Sequence, residues 1–535
     1  MTDNATFVLT AFAAVAACAL VWRLSRYVRW VRQFEGALRV PLNPLRHVDS
    51  IVPLLQGILA GDMAAPFVRA AAEGGPVTVL WLVGQPLVLV TSLPVMRALV
   101  QSGINGYHNP HTVERSPRQT AEMGAVFGKS LLFTQGHEWR WRRDTIMPFF
   151  QPRVLNRVAE PVVASFTAAL IGSFRAQATA VDVDAAFVEL TCKIITSVLL
   201  GADFDWERTP VGSARRAVEC ITEINDAAIA NQSRAAASIP QLGTLSNNSA
   251  AKPKALLRDS LAPVIKQIRA ANPIPTASFT SAASTSSDTL LEHLARNPDY
   301  TDELLVVEAI AMLLAGTETT AHTMAFALHE LSKRPDLLQR LHDEAVDVFG
   351  DDRDAPLDIT AATLSKLTFA GSVFKETLRL YPSVGMFIVR AVDRTLVGDH
   401  SVPAGADIIL NVKGSTQLVF FVVVALKKIF LFLFVGILLD PTLFPQPQTF
   451  NPDRWGANTE DVLDGAKQAI PEVWFNLGAH QCAGRALAIT EAKAVLSLLA
   501  RDFFIEPISP DYVPEIVNFG LVKPKRGVLV NFRSR

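Results

Sequence analysis

The stretch Phe475-Asn-Leu-Gly-Ala-His-Gln-Cys-Ala-Gly-Arg485 is the most informative part of the chain, because it places Cys482 directly before an Ala- and Leu-rich helical pattern. Free N–H groups and the dipole at a helix N-terminus favour thiolate over thiol. Gly478 permits a tight turn, and Gly484 lets the backbone approach a flat ligand closely. A lone thiolate in such a loop is suited to be the axial ligand of a haem iron.

A nucleophilic or a purely structural cysteine fits this motif less well. A cysteine hydrolase would need a histidine and an orienting group, and no local motif supplies their positions. A cysteine that only fills the core would not need a glycine on each side of it. The spacing of the motif therefore favours the haem ligand.

Composition and charge narrow the class of protein. The 535 residues are 50% hydrophobic and 19% charged, so the chain can bury a large core and is too apolar to be intrinsically disordered. The formal net charge of -1 argues against a nucleic-acid-binding surface. The 4 cysteines contain no C-x-x-C pair and are too few for a disulfide framework, which indicates a reducing compartment.

A long helical pattern runs from Asp302 to Lys333, yet its middle, Ala315-Gly-Thr-Glu-Thr-Thr320, is poor in helix formers. A mid-helix Gly costs ~1 kcal/mol relative to Ala, and Thr hydroxyls can bond back to the carbonyl four residues earlier. Residues of low helix propensity in the middle of a helix are typical of functional sites, and an acid beside an alcohol could relay protons. The alternative is a tight helix crossing, which explains Gly316 but not Glu318.

A second helical pattern, Ser365–Tyr381, carries Glu376 and Arg379 three residues apart and therefore on one face. Their apolar neighbours predict a buried ion pair, which is stable only when its remaining hydrogen bonds are made. Far downstream, Phe450-Asn-Pro-Asp-Arg454-Trp455 offers a second arginine in a Pro-containing turn. The alternative is a solvated surface pair, because E-x-x-R alone is a weak motif.

These motifs, together with Gly136-His-Glu-Trp139-x-x-x-Arg143, resemble those of the cytochrome P-450 family, in the family's order and over roughly residues 70–535. The resemblance implies a mainly α fold with small β-sheets (α+β). In this fold a haem lies between a long central helix and the loop and helix that carry Cys482. It also implies that residues 36–535 form a single catalytic domain.

The resemblance also assigns roles to residues. Cys482 would be the proximal thiolate, and therefore the metal ligand, of the haem iron. The haem propionates would be held by Trp139, Arg143, Arg390 and His480, and the binding loop would be built with Phe475, Gly478 and Gly484. The buried triad supporting the haem-binding core would be Glu376, Arg379 and Arg454. Thr319, assisted by Glu318, would be catalytic and deliver protons during the reduction of dioxygen. The substrate pocket would include Ala311, Ala315, Val384 and Ile388.

The activity implied by the resemblance is that of a haem-thiolate monooxygenase, which hydroxylates or epoxidises a lipophilic small molecule with O2. Its cofactor would be haem b, and two electrons would come from NADPH through a membrane-bound NADPH-cytochrome reductase. Two alternatives stay open. One is an isomerase or lyase of the same family, which Glu318 and Thr319 argue against. The other is a haem-binding protein whose catalysis is impaired by residues 413–439.

The N-terminal residues 1–35 are predicted to be a membrane anchor with a basic flank. The stretch from Asn4 to Trp22 is uncharged and close to the ~20 residues that a helix needs to cross a bilayer. A cluster of arginines beginning at Arg23 follows it, so the catalytic domain is expected on the cytoplasmic side of the endoplasmic reticulum membrane. A buried N-terminal helix is the alternative.

Residues 413–439 depart from the family pattern, because Leu418–Leu439 is almost wholly apolar and about as long as a membrane span. A second span would draw the catalytic core toward the bilayer, and a genuine surface insertion would expose an unusually large apolar patch. We therefore favour a translated intron or another gene-model error that replaced a short native segment.

Overall fold

A computed structural model describes residues 77–82, 85–90, 92–101, 113–115, 117–176, 180–236, 248–274, 289–397, 400–411, 437–439, 441, 443–455, 473–476, 478–519 and 521–535. The predicted anchor at residues 1–35 and residues 413–436 of the predicted insert lie outside these ranges.

The described residues are mainly helical with small sheets, which confirms the predicted α+β fold class. The α-helices are α1 Leu93–Gln101, α2 Pro117–Phe127, α3 Gly136–Ile146, α4 Pro152–Arg175, α5 Val183–Leu200, α6 Ala214–Ala236, α7 Ala251–Ala271, α8 Leu290–Ala295, α9 Asp302–Ser332, α10 Pro335–Phe349, α11 Ala361–Lys366, α12 Thr368–Leu380 and α13 Arg485–Asp502. Short 3₁₀ helices include Ile437–Leu439, Pro452–Trp455, Val473–Phe475 and Gly478–His480.

The strands in the described residues form four separate sheets. They are β1 Val77–Leu82, β2 Gln85–Val90, β3 Val113–Arg115, β4 Val181–Asp182, β5 Met386–Ala391, β6 Thr395–Val397, β7 His400–Val402, β8 Asp407–Asn411, β9 Phe503–Pro507, β10 Ile516–Phe519, β11 Leu521–Pro524 and β12 Leu529–Ser534. The largest described sheet has the order β1-β2-β8-β5-β3, with β1 and β2 forming an antiparallel hairpin and β2 parallel to β8. The smaller sheets are β4-β12-β9, β10-β11 and β6-β7.

The central helix α9 forms as predicted, and its middle packs unusually close to α5. Thr301 caps its N-terminus by accepting a hydrogen bond from the Leu304 N–H at 3.2 Å. Most side chains after Leu305 are buried. A Cβ added to Gly316 would lie 2.9 Å from Cγ1 of Ile195 on α5. The tight helix crossing therefore accounts for Gly316.

The threonines in the middle of α9 bond back to the helix, as the sequence predicts. Thr317 Oγ1 donates to the Leu313 carbonyl at 2.7 Å, and Thr319 Oγ1 donates to the Ala315 carbonyl at 2.8 Å. These bonds satisfy both hydroxyls within one helix, so the polar segment is accommodated without breaking it.

The pattern Ser365–Tyr381 is interrupted, unlike the single helix predicted, because Leu367 leaves helical geometry between α11 and α12. Glu344 of α10 explains the break. Its carboxylate accepts hydrogen bonds from the N–H groups of Phe369 at 2.6 Å and Ala370 at 2.9 Å. A side chain from a distant helix thus caps the N-terminus of α12.

Among the described residues, two helices, α4 and α9, are long and apolar enough to cross a membrane by composition alone. Of the most apolar part of α9, 72% is buried inside the protein, as expected for the central helix of a core.

We expect Gly316→Ala to lower the free energy of unfolding by about 1–2 kcal/mol, because overpacking against Ile195 outweighs the better helix propensity of Ala. The matched control is Gly172→Ala on α4, where an added Cβ meets nothing within 4 Å among the described residues. This control should raise stability by about 0.5–1 kcal/mol. Thermal unfolding measures both; shifts of equal sign and size would contradict the tight α5–α9 contact.

Candidate functional site

The pair Glu376 and Arg379 is completely buried, as the apolar residues around it predict. Arg379 Nη2 lies 2.7 Å from Glu376 Oε1, and Arg379 Nε donates to Oε2 at 2.9 Å. This bidentate geometry is the strongest arrangement for an arginine and a carboxylate. It is also needed here, because neither charge reaches water.

Three further donors converge on the Glu376 carboxylate from the turn at Pro452–Trp455. Arg454 Nε donates to Oε1 at 3.3 Å, which brings the three predicted triad members together. Trp455 Nε1 donates to Oε2 and the Asn451 N–H donates to Oε1, both at 2.9 Å. Sequence reasoning missed Trp455 and Asn451 as partners, although both stand in the motif that contains Arg454.

The remaining donors of Arg379 reach backbone carbonyls. Its Nη1 donates to the carbonyls of Leu438 at 3.0 Å and Pro447 at 2.6 Å, and its Nη2 donates to that of Thr449 at 3.2 Å. Leu438 and Leu439, the end of the predicted insert at 413–439, are buried here. These last residues of the predicted insert therefore pack in the described core.

The cysteine loop is closed by a hydrogen bond of 2.7 Å from the Cys482 N–H to the Phe475 carbonyl. Between these residues the backbone turns through positive φ at Asn476 (63°) and Gly478 (66°). Gly adopts this conformation without strain, and Asn tolerates it better than most residues. The tight turn predicted at Gly478 is therefore present, and it presents Cys482 just before α13.

The Cys482 side chain is exposed, yet protein surrounds it so closely that desolvation raises the pKa of its thiol. These two facts place the sulfur in a recess that solvent can reach. The backbone N–H groups of Gly484 and Arg485 and the charge of Arg143 act in the opposite direction, as predicted for a helix N-terminus, but desolvation outweighs them. A thiol with a raised pKa becomes a thiolate when it coordinates a metal cation, so this sulfur is suited to be a metal ligand.

Residues of α3 pack against the cysteine loop beside this recess. The rings of Trp139 and His480 lie 3.9 Å apart between centroids, and Arg143 Nη2 donates to the Gln481 carbonyl at 2.8 Å. Trp139 Nε1 is buried and finds no hydrogen-bond partner among the described residues. A buried donor beside an arginine fits an acidic group of a ligand.

Space for a flat ligand exists at Gly484. In the part of the chain that is described, a Cβ added there would contact only the Cys482 sulfur, at 4.0 Å. A side chain at this position would therefore project into the recess in front of the sulfur. The sulfur, the orphaned donor and the open glycine together fit a haem with acidic side chains.

A buried ion pair, missed by sequence reasoning, fixes α3 to α9. Arg142 Nη1 lies 2.9 Å from Glu308 Oε1, and Glu308 also accepts the Leu131 N–H at 3.0 Å. Both side chains are buried, so the position of Trp139 is tied to the central helix. The signal in the sequence is a lone acid on the apolar face of α9, whose partner only the fold identifies.

Arg115 is a second residue that sequence reasoning missed. It donates to the carbonyls of Leu131 and Leu132, and burial together with the charge of Arg143 lowers its pKa to about 10. Two nearby guanidinium groups repel each other unless an anion lies between them. Arg115 therefore adds to the anion-binding character of this region. Arg390 is half-buried on the neighbouring strand β5, opposite Glu114, and its role stays a prediction.

Thr319 and Ala315 lie one turn apart on a partly exposed face of α9, whereas Ala311, one turn earlier, is fully buried. Ser383 Oγ donates to the Thr319 carbonyl at 2.9 Å, which brings the neighbouring Val384 close to this face. Val384 forms an isolated β-bridge with Leu521. Ile388 lies in β5 opposite Ile409 of β8. The pocket assignments stay predictions.

Glu318 faces different surroundings from Thr319. It is buried, and its Oε1 accepts a hydrogen bond from Thr222 Oγ1 at 2.5 Å while Oε2 accepts one from Asn225 Nδ2 at 2.8 Å. Both donors belong to α6. The predicted acid and alcohol are therefore adjacent in sequence but held by separate contacts.

Comparison with known proteins identifies the family. A profile of the family described as Cytochrome P450 matches residues 47–417 and 427–532. The chain is 26% identical to cyclooctat-9-en-7-ol 5-monooxygenase of Streptomyces melanosporofaciens over 83% of this chain and 91% of that protein. It is 26% identical to cytochrome P450 4d2 of Drosophila melanogaster over 72% of this chain and 74% of that protein.

We expect Glu376→Gln to destabilise the fold by about 3–5 kcal/mol, because it leaves the charge of Arg379 buried without a counter-ion. The matched control is Asp453→Asn in the same turn. Asp453 pairs with Arg340 at 2.7 Å on the exposed surface, so its loss should cost at most about 1 kcal/mol. Soluble yield and thermal unfolding distinguish the two variants; equal behaviour would refute the structural role of the triad.

Proposed function

The chain belongs to the cytochrome P450 family, and we propose that it inserts one oxygen atom of O2 into a lipophilic small molecule, using electrons that NADPH supplies through a reductase. Membership carries haem with thiolate ligation, O2 and a small-molecule substrate. The accessible sulfur of Cys482 beside Trp139 and Arg143 is the single observation that most supports this activity in this chain.

The residues around the recess are suited to hold haem b. Cys482 would ligate the iron, and Trp139 Nε1, Arg143 and His480 would bind the propionates, with Arg390 as a further contact. Gly484 would leave room for the porphyrin face. When bound, the haem supplies the redox chemistry that activates dioxygen, so that one oxygen atom enters the substrate and the other leaves as water.

The monooxygenase is favoured over an isomerase or lyase because α9 carries both an alcohol and a carboxylate. Thr319 lies on a partly exposed face of the helix, and its hydroxyl would pass a proton to a reactant by releasing its hydrogen bond to the Ala315 carbonyl. Glu318 is held by Thr222 and Asn225, so its carboxylate has a fixed position one residue away. An enzyme that needs no external electrons would not require this pair.

The catalytically impaired alternative is less favoured. The family profile resumes at residue 427, inside the apolar stretch, and leaves out only residues 418–426 between its two matched parts. The carbonyl of Leu438 completes the hydrogen bonds of Arg379. These observations support a haem-binding core that tolerates the stretch.

Apolar side chains support a lipophilic substrate. Ala315 lies one turn before Thr319 on α9, and Val384 follows Ser383, which bonds to the Thr319 carbonyl; neither side chain offers a polar group for recognition. The name of one relative, cyclooctat-9-en-7-ol 5-monooxygenase, records oxidation of an unsaturated alcohol. We infer the same broad class for this chain, with hydroxylation or epoxidation as the reaction.

Membrane attachment is part of the proposal. It rests on the uncharged stretch from Asn4 to Trp22 and the arginines that follow it. An anchor of this kind would hold the catalytic domain on the cytoplasmic face of the endoplasmic reticulum, where a membrane-bound reductase could dock.

We expect Cys482→Ser to abolish the red-shifted Soret band that thiolate ligation gives to the reduced, carbon-monoxide-bound protein, because an alcohol cannot replace the thiolate. The control is Cys220→Ser, since Cys220 is a buried cysteine of α6 remote from the loop. A normal band in Cys482→Ser would overturn the assignment of the ligand.

We expect Thr319→Ala to uncouple the reaction, so that less product forms per NADPH oxidised, because the partly exposed hydroxyl is lost. Cyclooctat-9-en-7-ol is the probe substrate, and the fraction of electrons released as hydrogen peroxide is the second readout. Thr317→Ala is the control, because Thr317 makes the same bond to the preceding turn but is fully buried. Unchanged coupling in Thr319→Ala would refute its role in proton delivery.

A further inference from the structure

A cleft of about 930 Å³ opens beside α9, with Glu318 and His322 in its lining. It lies between α5, α6, α9 and the β10–β11 hairpin. Charged and titratable side chains line much of it, among them Asp184, Asp226, Glu318, His322, Lys523 and Arg526. Apolar side chains such as Val188, Val218 and Leu521 line the rest of the cleft, so its polar groups are set among apolar walls.

Glu318 connects this cleft to the middle of α9. Its carboxylate is buried, but it lines the inner end of the cleft. The hydrogen bonds from Thr222 and Asn225 fix its two oxygens and leave further lone pairs to accept a proton or a water hydrogen. Glu318 can therefore exchange protons with groups in the cleft.

His322 lies one helical turn after Glu318 and therefore on the same face of α9. Its Nδ1 is 2.7 Å from Asp184 Oδ1 on α5. Because an ionised carboxylate only accepts, this contact assigns a hydrogen to Nδ1 and leaves Nε2 as the nitrogen at which the ring can gain or lose a second proton. Nε2 is buried and has no hydrogen-bond partner among the described residues, although the ring lines the cleft.

The mouth of the cleft carries an ion pair. Lys523 Nζ of β11 lies 2.6 Å from Asp226 Oδ1 of α6, whose side chain is exposed. Desolvation would lower the pKa of Lys523, but the charges of Glu318, Asp226 and Asp184 outweigh it and raise that pKa.

We propose that this cleft admits protons from solvent to Glu318, with His322, oriented by Asp184, as the residue that transfers them. This inference rests on the proposed monooxygenase function, which consumes protons. His322 acts through Glu318 and does not touch the substrate, so it is a positioning residue for proton delivery.

The transfer is balanced at each atom. An acid in the solvent protonates Nε2. In the resulting imidazolium, Nδ1 keeps its hydrogen and continues to donate it to the Asp184 carboxylate. The Nε2–H bond then breaks as the proton moves to a Glu318 oxygen, directly or through one water, and the neutral ring is restored. Neighbouring side chains at this helical spacing have Cβ atoms about 5–6 Å apart, which one water can bridge.

The kinetic test uses full-length His322→Gln holoenzyme with reductase, NADPH and cyclooctat-9-en-7-ol as the probe. Gln keeps a polar side chain at this position, but its amide cannot take up and release a proton as an imidazole does. We expect NADPH-dependent O2 consumption to fall about tenfold and its solvent isotope effect in D2O to increase. The matched control is His342→Gln, a half-buried histidine of α10 outside the cleft, which should change neither quantity.

A structural readout tests the same inference without turnover. Nitrogen NMR of ¹⁵N-histidine-labelled protein, in the reduced carbon-monoxide form at fixed pH, should show the Nδ1–H tautomer for His322. Glu318→Gln should shift its Nε2 resonance, because the two groups communicate. An Nε2–H tautomer, or an Nε2 signal insensitive to Glu318→Gln, would overturn the relay.

The outcomes separate this inference from the proposed function. If His322→Gln keeps a thiolate-type Soret band and wild-type rates in both solvents, the relay is wrong and the monooxygenase stands. If the wild-type protein lacks that band, the proposed function itself fails. If His322→Gln does not fold, Asp184→Asn tests the relay instead. Loss of the orienting carboxylate should slow NADPH-dependent O2 consumption and increase its solvent isotope effect in the same way, and wild-type values would overturn the relay.

Discussion

The buried carboxylate of Glu376 organises the core around the cysteine loop. A charge without access to water is costly, so it must be surrounded by donors. Arg379 supplies two of them from the same helix, and Arg454, Trp455 and the Asn451 N–H supply the others from a turn far along the chain. Folding therefore brings that turn to α12.

The same turn positions the cysteine loop. Trp455, held by Glu376, meets Trp474 edge to face with ring centroids 5.5 Å apart. Trp474 is buried in the 3₁₀ helix that ends at Phe475, whose carbonyl accepts the Cys482 N–H. A chain of packed and hydrogen-bonded groups thus connects a charge in the core to the loop that presents the Cys482 sulfur.

Helix α9 meets three different requirements with neighbouring residues. Gly316 allows the close approach of α5, Thr319 lies on a partly exposed face, and Glu318 and His322 face the polar cleft. Because successive residues of a helix point about 100° apart, one short polar segment can serve all three directions. Tight packing and chemistry are therefore both present in this segment, at different residues.

Residues close together in the chain were enough to predict the cysteine loop, the central helix and the pairing of Glu376 with Arg379, because local rules of turns and helices govern each of them. The fold class followed from the resemblance of these motifs to those of a known family. The partners that lie far apart in the chain became known only from the folded molecule. Glu344 caps the N-terminus of α12, Arg142 forms an ion pair with Glu308, and Asp184 is hydrogen-bonded to His322. These contacts depend on which helix faces come together, and no local pattern encodes that choice.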